Sequence, residues 1–166
     1  MLQAARTVMR TAGMEVSIEE IAATAGVGPS TFYRHFPSKD ALLAALLEEL
    51  GAGAREIAEQ ASRLPDPWQA FAFVFSNGCV LDPDDLLMFD QIARVSRELG
   101  EQAESETASI VTVQVTRAQR AGVLRGDVDA TDVAALMRAA DGGTPEQRER
   151  RVKVLLQGLR PASDLG

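Results

Sequence analysis

The segment SIEEIAATAGVGPSTFYRHFPSKDAL, residues 17–42, decides how the N-terminal part of the chain is interpreted. Ser17, followed three positions later by Glu20, forms a capping-box pattern, which predicts that a helix begins there. Gly26 is expected to end that helix, and Pro29 suits the first position of the next one, where its missing N–H is harmless. Two short helices joined by so tight a turn predict a helix-turn-helix unit.

The second helix of such a pair enters the major groove of DNA, so the side chains on its faces matter. At about 100° per residue, Phe32 and Phe36 lie together and are expected to face the core, and Pro37 ends the helix. The other positions carry side chains that can hydrogen-bond to DNA: Ser30, Thr31, Tyr33, Arg34 and His35. Arg34 is the best candidate for reading a base, because a guanidinium can bind two acceptors of one guanine.

These residues also have purely structural interpretations. Ser17 and Ser38 both stand where a serine side chain caps a helix, although the helix N-terminus at Ser17 also favours a phosphate. Tyr33 can pack through its ring and leave its hydroxyl in water. From the pattern alone, residues 30–36 could equally be a surface helix with no role in binding.

The same segment resembles the DNA-binding domain of the TetR family. The resemblance rests on the capped second helix and on four groups of residues: Ala25-Gly26-Val27, Thr31-Phe32-Tyr33, His35-Phe36 and Ser38-Lys39. It implies that the DNA backbone is contacted by Thr31, Tyr33, His35 and Lys39. It also implies that Ser30 and Arg34 help to select the operator and that Pro29 adds a van der Waals contact. The sequence departs from many members in its short body and in showing no basic arm before the first helix.

Helical periodicity, with helix-ending glycines and prolines, predicts an all-α chain of nine helices. The first helix is expected to end at Ala12, and the fourth to run from Ser38 to about Ser62. Five more are predicted over residues 68–79, 83–99, 104–121, 131–140 and 144–159. Residues 1–45 are the predicted helix-turn-helix DNA-binding domain, and residues 46–166 the predicted helical ligand-binding and dimerisation domain.

Most aromatic side chains of the predicted second domain occur close together in sequence. They suggest an apolar pocket for a small hydrophobic ligand, lined by Trp68, Phe71, Phe75, Cys79, Met88, Phe89 and Ile92. The alternative is that these side chains are ordinary core, with Cys79 a small buried apolar residue.

By the same resemblance, helices 131–140 and 144–159 are expected to pair with their copies in a homodimer. Two apolar stripes support this: Val133, Leu136, Met137 and Ala140 on the first, and Val152, Leu155, Leu156 and Leu159 on the second. The alternative is that both stripes belong to the chain's own core. A two-fold dimer would place two recognition helices about 34 Å apart, in successive major grooves of a near-palindromic operator.

The composition restricts the classes of protein further. Apolar residues make up 46 % of the chain, and no run of about 18 of them predicts a membrane span. One Cys and one His cannot form an internal disulfide or a multi-histidine metal site, and the lone cysteine favours a reducing, cytoplasmic setting. No cofactor motif or convergent catalytic set is present, so neither a cofactor, a metal nor an enzymatic activity is expected.

The net charge is −7, yet the four basic and four acidic residues of positions 1–40 cancel. Binding to DNA would therefore depend on a few well-placed contacts and on dimerisation rather than on a broad positive field. We expect a ligand-responsive regulator of transcription, most simply a repressor released from its operator by a small apolar ligand. An activator, or a protein-interaction module with a vestigial DNA-binding head, are the alternatives.

Overall fold

The computed structural model describes residues 1–78, 83–141 and 143–161, apart from the side chains of Pro83 and Leu86. Within these ranges the chain forms nine helices and no strand, which confirms the predicted all-α class. The helices are α1 (Leu2–Ala12), α2 (Ile18–Thr24), α3 (Pro29–His35), α4 (Lys39–Ser62), α5 (Pro67–Asn77), α6 (Pro83–Val95), α7 (Arg97–Arg120), α8 (Ala130–Ala140) and α9 (Pro145–Gly158).

The chain divides into two compact units. The first unit combines Met1–Ala52 with the described part of Leu81–Glu104, and the second combines the described parts of Gly53–Val80 and Ser105–Gly166. Both units are therefore discontinuous in sequence, and α4 and α7 contribute residues to each. These units are defined by compactness alone. The predicted boundary at residue 45, between a DNA-binding domain and a ligand-binding domain, therefore stays a prediction.

In the first unit, α2 ends in a Schellman motif, which sets the turn before α3. The N–H of Gly26 bonds to the carbonyl of Ala23 at 3.1 Å, and the N–H of Val27 bonds to that of Ala22, also at 3.1 Å. Gly26 has a φ of +69°, a conformation that a residue without a Cβ adopts readily. Gly26, which the sequence pattern predicts to end α2, thus allows the chain to turn between α2 and α3.

The core of the first unit joins α1–α4 to α6. Its fully buried large side chains are Met9, Ile21, Phe32, Leu42, Leu43, Leu46 and Ile92. Two arginines of α1 lie over this core in ion pairs: Arg6 pairs with Glu49 and Asp85, and Arg10 pairs with Asp84 at 2.9 Å. The basic side chains of α1 are thus engaged by acids of α4 and α6.

The predicted boundary between the sixth and seventh helices is wrong. Gly100 was expected to end a helix over 83–99, but α6 ends at Val95 and Gly100 lies within α7. A Cβ at Gly100 would lie 2.7 Å from the Cβ of Ala93 and 3.0 Å from its Cα. The glycine is needed for the close approach of α7 to α6, and not to stop a helix.

The core of the second unit is built around α5. Asp66 caps this helix by accepting a hydrogen bond from the N–H of Gln69 at 2.9 Å, so α5 begins at Pro67, one residue earlier than predicted. Phe71 and Phe75 are buried with their ring centroids 6.0 Å apart. Trp68 stacks beside Phe71, and the guanidinium of Arg160 lies 3.8 Å from its ring centroid.

The helices α8 and α9 pack against α5, and this packing uses most of the two predicted stripes. Five of the eight stripe residues are buried in the chain's own core: Val133, Met137, Ala140, Val152 and Leu159. These residues therefore cannot form the dimer contact that the stripes suggested. Leu136, Leu155 and Leu156 are partly buried against the same core, while Val154 on α9 is 65 % exposed.

Candidate nucleic-acid interface

The two faces of α3 differ as the sequence predicts. Phe32 is fully buried, and Phe36, just past the helix end, packs against it with the ring centroids 5.2 Å apart. The side chains on the remaining surface are exposed, except that of Thr31, which is half-buried: Pro29, Ser30, Tyr33, Arg34 and His35. Within the described residues, Arg34 makes no hydrogen bond or ion pair. The helix is thus anchored by one aromatic side and presents a guanidinium and hydroxyls on the other.

Tyr33 is partnered by an acid of α2. Its hydroxyl donates a hydrogen bond to Oε1 of Glu19 at 3.1 Å, while 41 % of the tyrosine stays exposed. This hydrogen bond raises the pKa of Tyr33 above its usual value, so the hydroxyl keeps its proton. The role of Glu19 could not be predicted from the sequence, because nothing in the spacing shows which side chain of α2 faces α3.

Ser17 has the capping role that was one of its two interpretations. Its Oγ accepts from the N–H of Glu20 at 3.2 Å, and its own N–H and hydroxyl both donate to Glu20 Oε2 at 3.0 Å. These bonds lower the pKa of Glu20, the backbone N–H contributing most. Ser38 likewise accepts from the N–H of Ala41 at 3.1 Å and caps α4. Contact of Ser17 with a phosphate stays a prediction.

Lys39 lies at the start of α4, and its Nζ donates to the carbonyl oxygen of Val16 at 3.2 Å. An ammonium group has three hydrogens, so this bond holds the side chain beside the start of α2 and leaves others for a phosphate. The predicted DNA contacts all lie in the first unit: Ser17 caps α2, Lys39 begins α4, and the others lie on α3.

The predicted ligand residues are divided between the cores of the two units, and a shared site for them stays a prediction. Met88 and Ile92 are buried in the core of the first unit, and Phe89 packs against it. Trp68, Phe71 and Phe75 belong to the core of the second unit. Cys79 lies outside the described residues.

The second unit contains a small apolar cavity that the sequence pattern does not predict. Its volume is about 10 Å³, and it is lined by Ala54, Ile57, Val74, Gly78, Thr107, Ile110, Val111 and Met137. One turn beyond Ile110 and Val111 on α7 lies Gln114, which is 4 % exposed. Its Oε1 has no hydrogen-bond partner among the described residues. In the first unit, an open groove of about 400 Å³ between α1 and α6 is polar and crossed by the ion pairs of Arg6 and Arg10.

Family models match both ends of the chain. Residues 1–46 match the model described as bacterial regulatory proteins, tetR family, and residues 85–161 match the C-terminal domain of SbtR-like transcriptional regulators. The solved structure of a TetR transcription regulatory protein from Mycobacterium vanbaalenii is 31 % identical in sequence, with a TM-score of 0.61. The alignment covers 96 % of this chain and 92 % of that one. The chain belongs to the TetR family.

Other solved structures agree with this membership. The TetR regulator SCO0520 from Streptomyces coelicolor is 25 % identical over 97 % of both chains, with a TM-score of 0.60. A gamma-butyrolactone receptor described as ArpA-like is 24 % identical over 98 % of this chain and 87 % of that one, with a TM-score of 0.72. At that identity it shares the fold alone. A search among curated proteins gave no match.

Membership in the TetR family makes the chain a DNA-binding regulator of transcription with a helix-turn-helix in its first unit. The matched families and the similar structures are regulators and not enzymes. Across the part of the chain that the structure describes, no helix combines the length and apolar character needed to cross a membrane.

Proposed function

We propose that this TetR-family regulator binds a near-palindromic operator as a homodimer and reads bases through Arg34. The observation that carries the proposal is the state of α3: Phe32 fixes one side in the core, while Arg34 is exposed on the other and has no partner among residues 1–78, 83–141 and 143–161. A guanidinium held in this way is free to bind O6 and N7 of a guanine in the major groove. The neighbouring Ser30 offers a second contact to the bases.

The test combines selection of binding sites from random DNA with binding measurements on Arg34→Ala. The variant should lose its preference at one base-pair position by about 1–3 kcal/mol, because a bidentate base contact is removed. Fluorescence anisotropy with the selected duplex and with single-base variants of it measures the loss.

Arg120→Ala is the matched control, since Arg120 is an exposed arginine at the end of α7 in the second unit. It removes the same charge and should leave the base preference intact. An unchanged preference in Arg34→Ala would contradict base reading by this residue. Absence of any selected site would contradict DNA binding itself.

The proposed ligand site is the apolar cavity of the second unit, with Gln114 as its polar anchor. The lining is apolar except for Thr107, and Gln114, one turn along α7 from Ile110 and Val111, has an amide oxygen with no partner among the described residues. A cavity of about 10 Å³ holds roughly one water molecule, whereas sites for drug-sized ligands span about 300–1,000 Å³. A ligand would therefore have to displace the lining helices, and that displacement is the proposed signal.

The helix α4 is the proposed route of this signal. Its first half supplies Leu42, Leu43 and Leu46 to the core of the first unit, and its second half supplies Ile57 and Ala61 to that of the second. A ligand acts only through the difference in its affinity for the two states. Release of DNA by a small apolar compound in a gel shift is the expected result. Binding that no such compound changes would contradict induction, though not DNA recognition.

A further inference from the structure

Glu19 is an acid on the surface proposed to face DNA. It occupies the second residue of α2, is exposed, and accepts the hydrogen bond from Tyr33 at 3.1 Å. Among the described residues, this is the one hydrogen bond of its side chain. The neighbouring Glu20 differs, because its carboxylate is bound by the backbone and hydroxyl of Ser17.

The hydroxyl of Tyr33 has one hydrogen, and a phosphodiester oxygen can only accept. Tyr33 can therefore donate either to Glu19 or to a DNA phosphate, but not to both at full strength. When the hydroxyl turns to a phosphate, Glu19 loses its partner while its charge stays beside another anion. Both effects oppose binding, and both come from the same carboxylate.

We propose that Glu19 is a negative determinant of DNA affinity, which competes with a backbone phosphate for the hydroxyl of Tyr33. The inference rests on the proposed function and on the contact between Tyr33 and the DNA backbone that the family resemblance implies. Because phosphate contacts are independent of sequence, Glu19 lowers affinity for all duplexes about equally and leaves the base reading of Arg34 unchanged.

Two substitutions separate the charge of Glu19 from its role as acceptor. Glu19→Gln removes the charge and keeps an oxygen that Tyr33 can donate to, whereas Glu19→Ala removes both. Affinity for a random-sequence duplex should rise about two- to five-fold in Glu19→Gln. It should rise more in Glu19→Ala, by about five- to twenty-fold, since the hydroxyl is also released. Fluorescence anisotropy at one fixed salt concentration measures both.

The decisive comparison repeats both Glu19 substitutions in a protein that also carries Tyr33→Phe. Without the hydroxyl there is nothing to compete for, so Glu19→Ala and Glu19→Gln should tighten binding by the same factor. Glu104→Gln is the charge control, since Glu104 is an exposed acid on α7, and it should change affinity by less than about two-fold.

Equal affinities of Glu19→Ala, Glu19→Gln and the unaltered protein would overturn the inference, provided that Arg34→Ala still loses its base preference. If Glu19→Ala and Glu19→Gln still differ in DNA affinity when residue 33 is Phe, the hydroxyl of Tyr33 is not what Glu19 and the phosphate compete for. If the unaltered protein binds no duplex at all, the proposed function fails, and the inference with it.

Discussion

Gln114 is buried, and its Oε1 has no hydrogen-bond partner in the described part of the chain. The residue lies between Val111 and Val115 on α7, and a buried amide oxygen with no partner costs about 1–3 kcal/mol. We therefore predict that Gln114→Leu stabilises the protein by about that amount, which corresponds to roughly 2–4 °C in Tm per kcal/mol for a chain of this size. Thermal unfolding followed by circular dichroism measures the change.

Gln119→Leu is the matched control on the same helix. Its Nε2 donates to the carbonyls of Arg125 and Val128, at 3.1 and 2.7 Å, so the same substitution should destabilise the protein. The two variants are expected to move the Tm in opposite directions. A lower Tm for Gln114→Leu would mean that its amide is satisfied in solution, and would remove the argument for an anchor there.

At the scale of the helix, the sequence predicts boundaries well where a side chain caps the backbone. Ser17 and Thr144 each begin a helix with a capping box, and Gly122 ends α7 with a φ of +69°. Such signals are local, because the atoms that bond lie within a few residues of one another. Gly100 shows the limit, since its role depends on Ala93, which no local pattern identifies as its neighbour.

Gly100→Ala tests this interpretation. Helix propensity alone favours alanine by about 1 kcal/mol within a helix. The added Cβ would, however, lie 3.0 Å from the Cα of Ala93, and overpacking a backbone typically costs about 1–3 kcal/mol. We expect a net loss of stability, measured as a lower Tm.

Gly53→Ala on α4 is the comparison, because a Cβ there meets no atom within 4 Å. In that variant only the higher helix propensity of alanine acts, so the Tm should rise. If the Tm of Gly100→Ala is as high as that of Gly53→Ala, α6 and α7 can move apart without loss of stability.

For the molecule as a whole, periodicity shows which side chains are buried but not which core receives them. Phe75 and Met88 are close in sequence and both buried, yet they belong to different units. The sequence could not show, for this reason, that the predicted ligand residues belong to two cores. The exposure of Tyr33 and Arg34 was easier to predict, because both lie on one short helix whose buried side is marked by Phe32.

We expect the proposed dimer contact on the outer face of α9. Val152 is 7 % exposed and belongs to the chain's own core, whereas Val154 is 65 % exposed and free to contact a second copy. Burying an unpaired charge at an apolar contact is unfavourable. Val154→Arg should therefore raise the dimer dissociation constant at least about ten-fold, or about 1.4 kcal/mol, in sedimentation velocity over a range of concentrations.

Val113→Arg makes the same change at another exposed valine, 56 % exposed on α7, and should leave the dimer intact. Affinity for a two-half-site operator should fall in Val154→Arg, while affinity for an isolated half-site should not, because only the first requires two recognition helices at a fixed spacing. A dimer equally stable in both variants would exclude this face of α9. The two recognition helices would then have to be spaced by another surface of the chain.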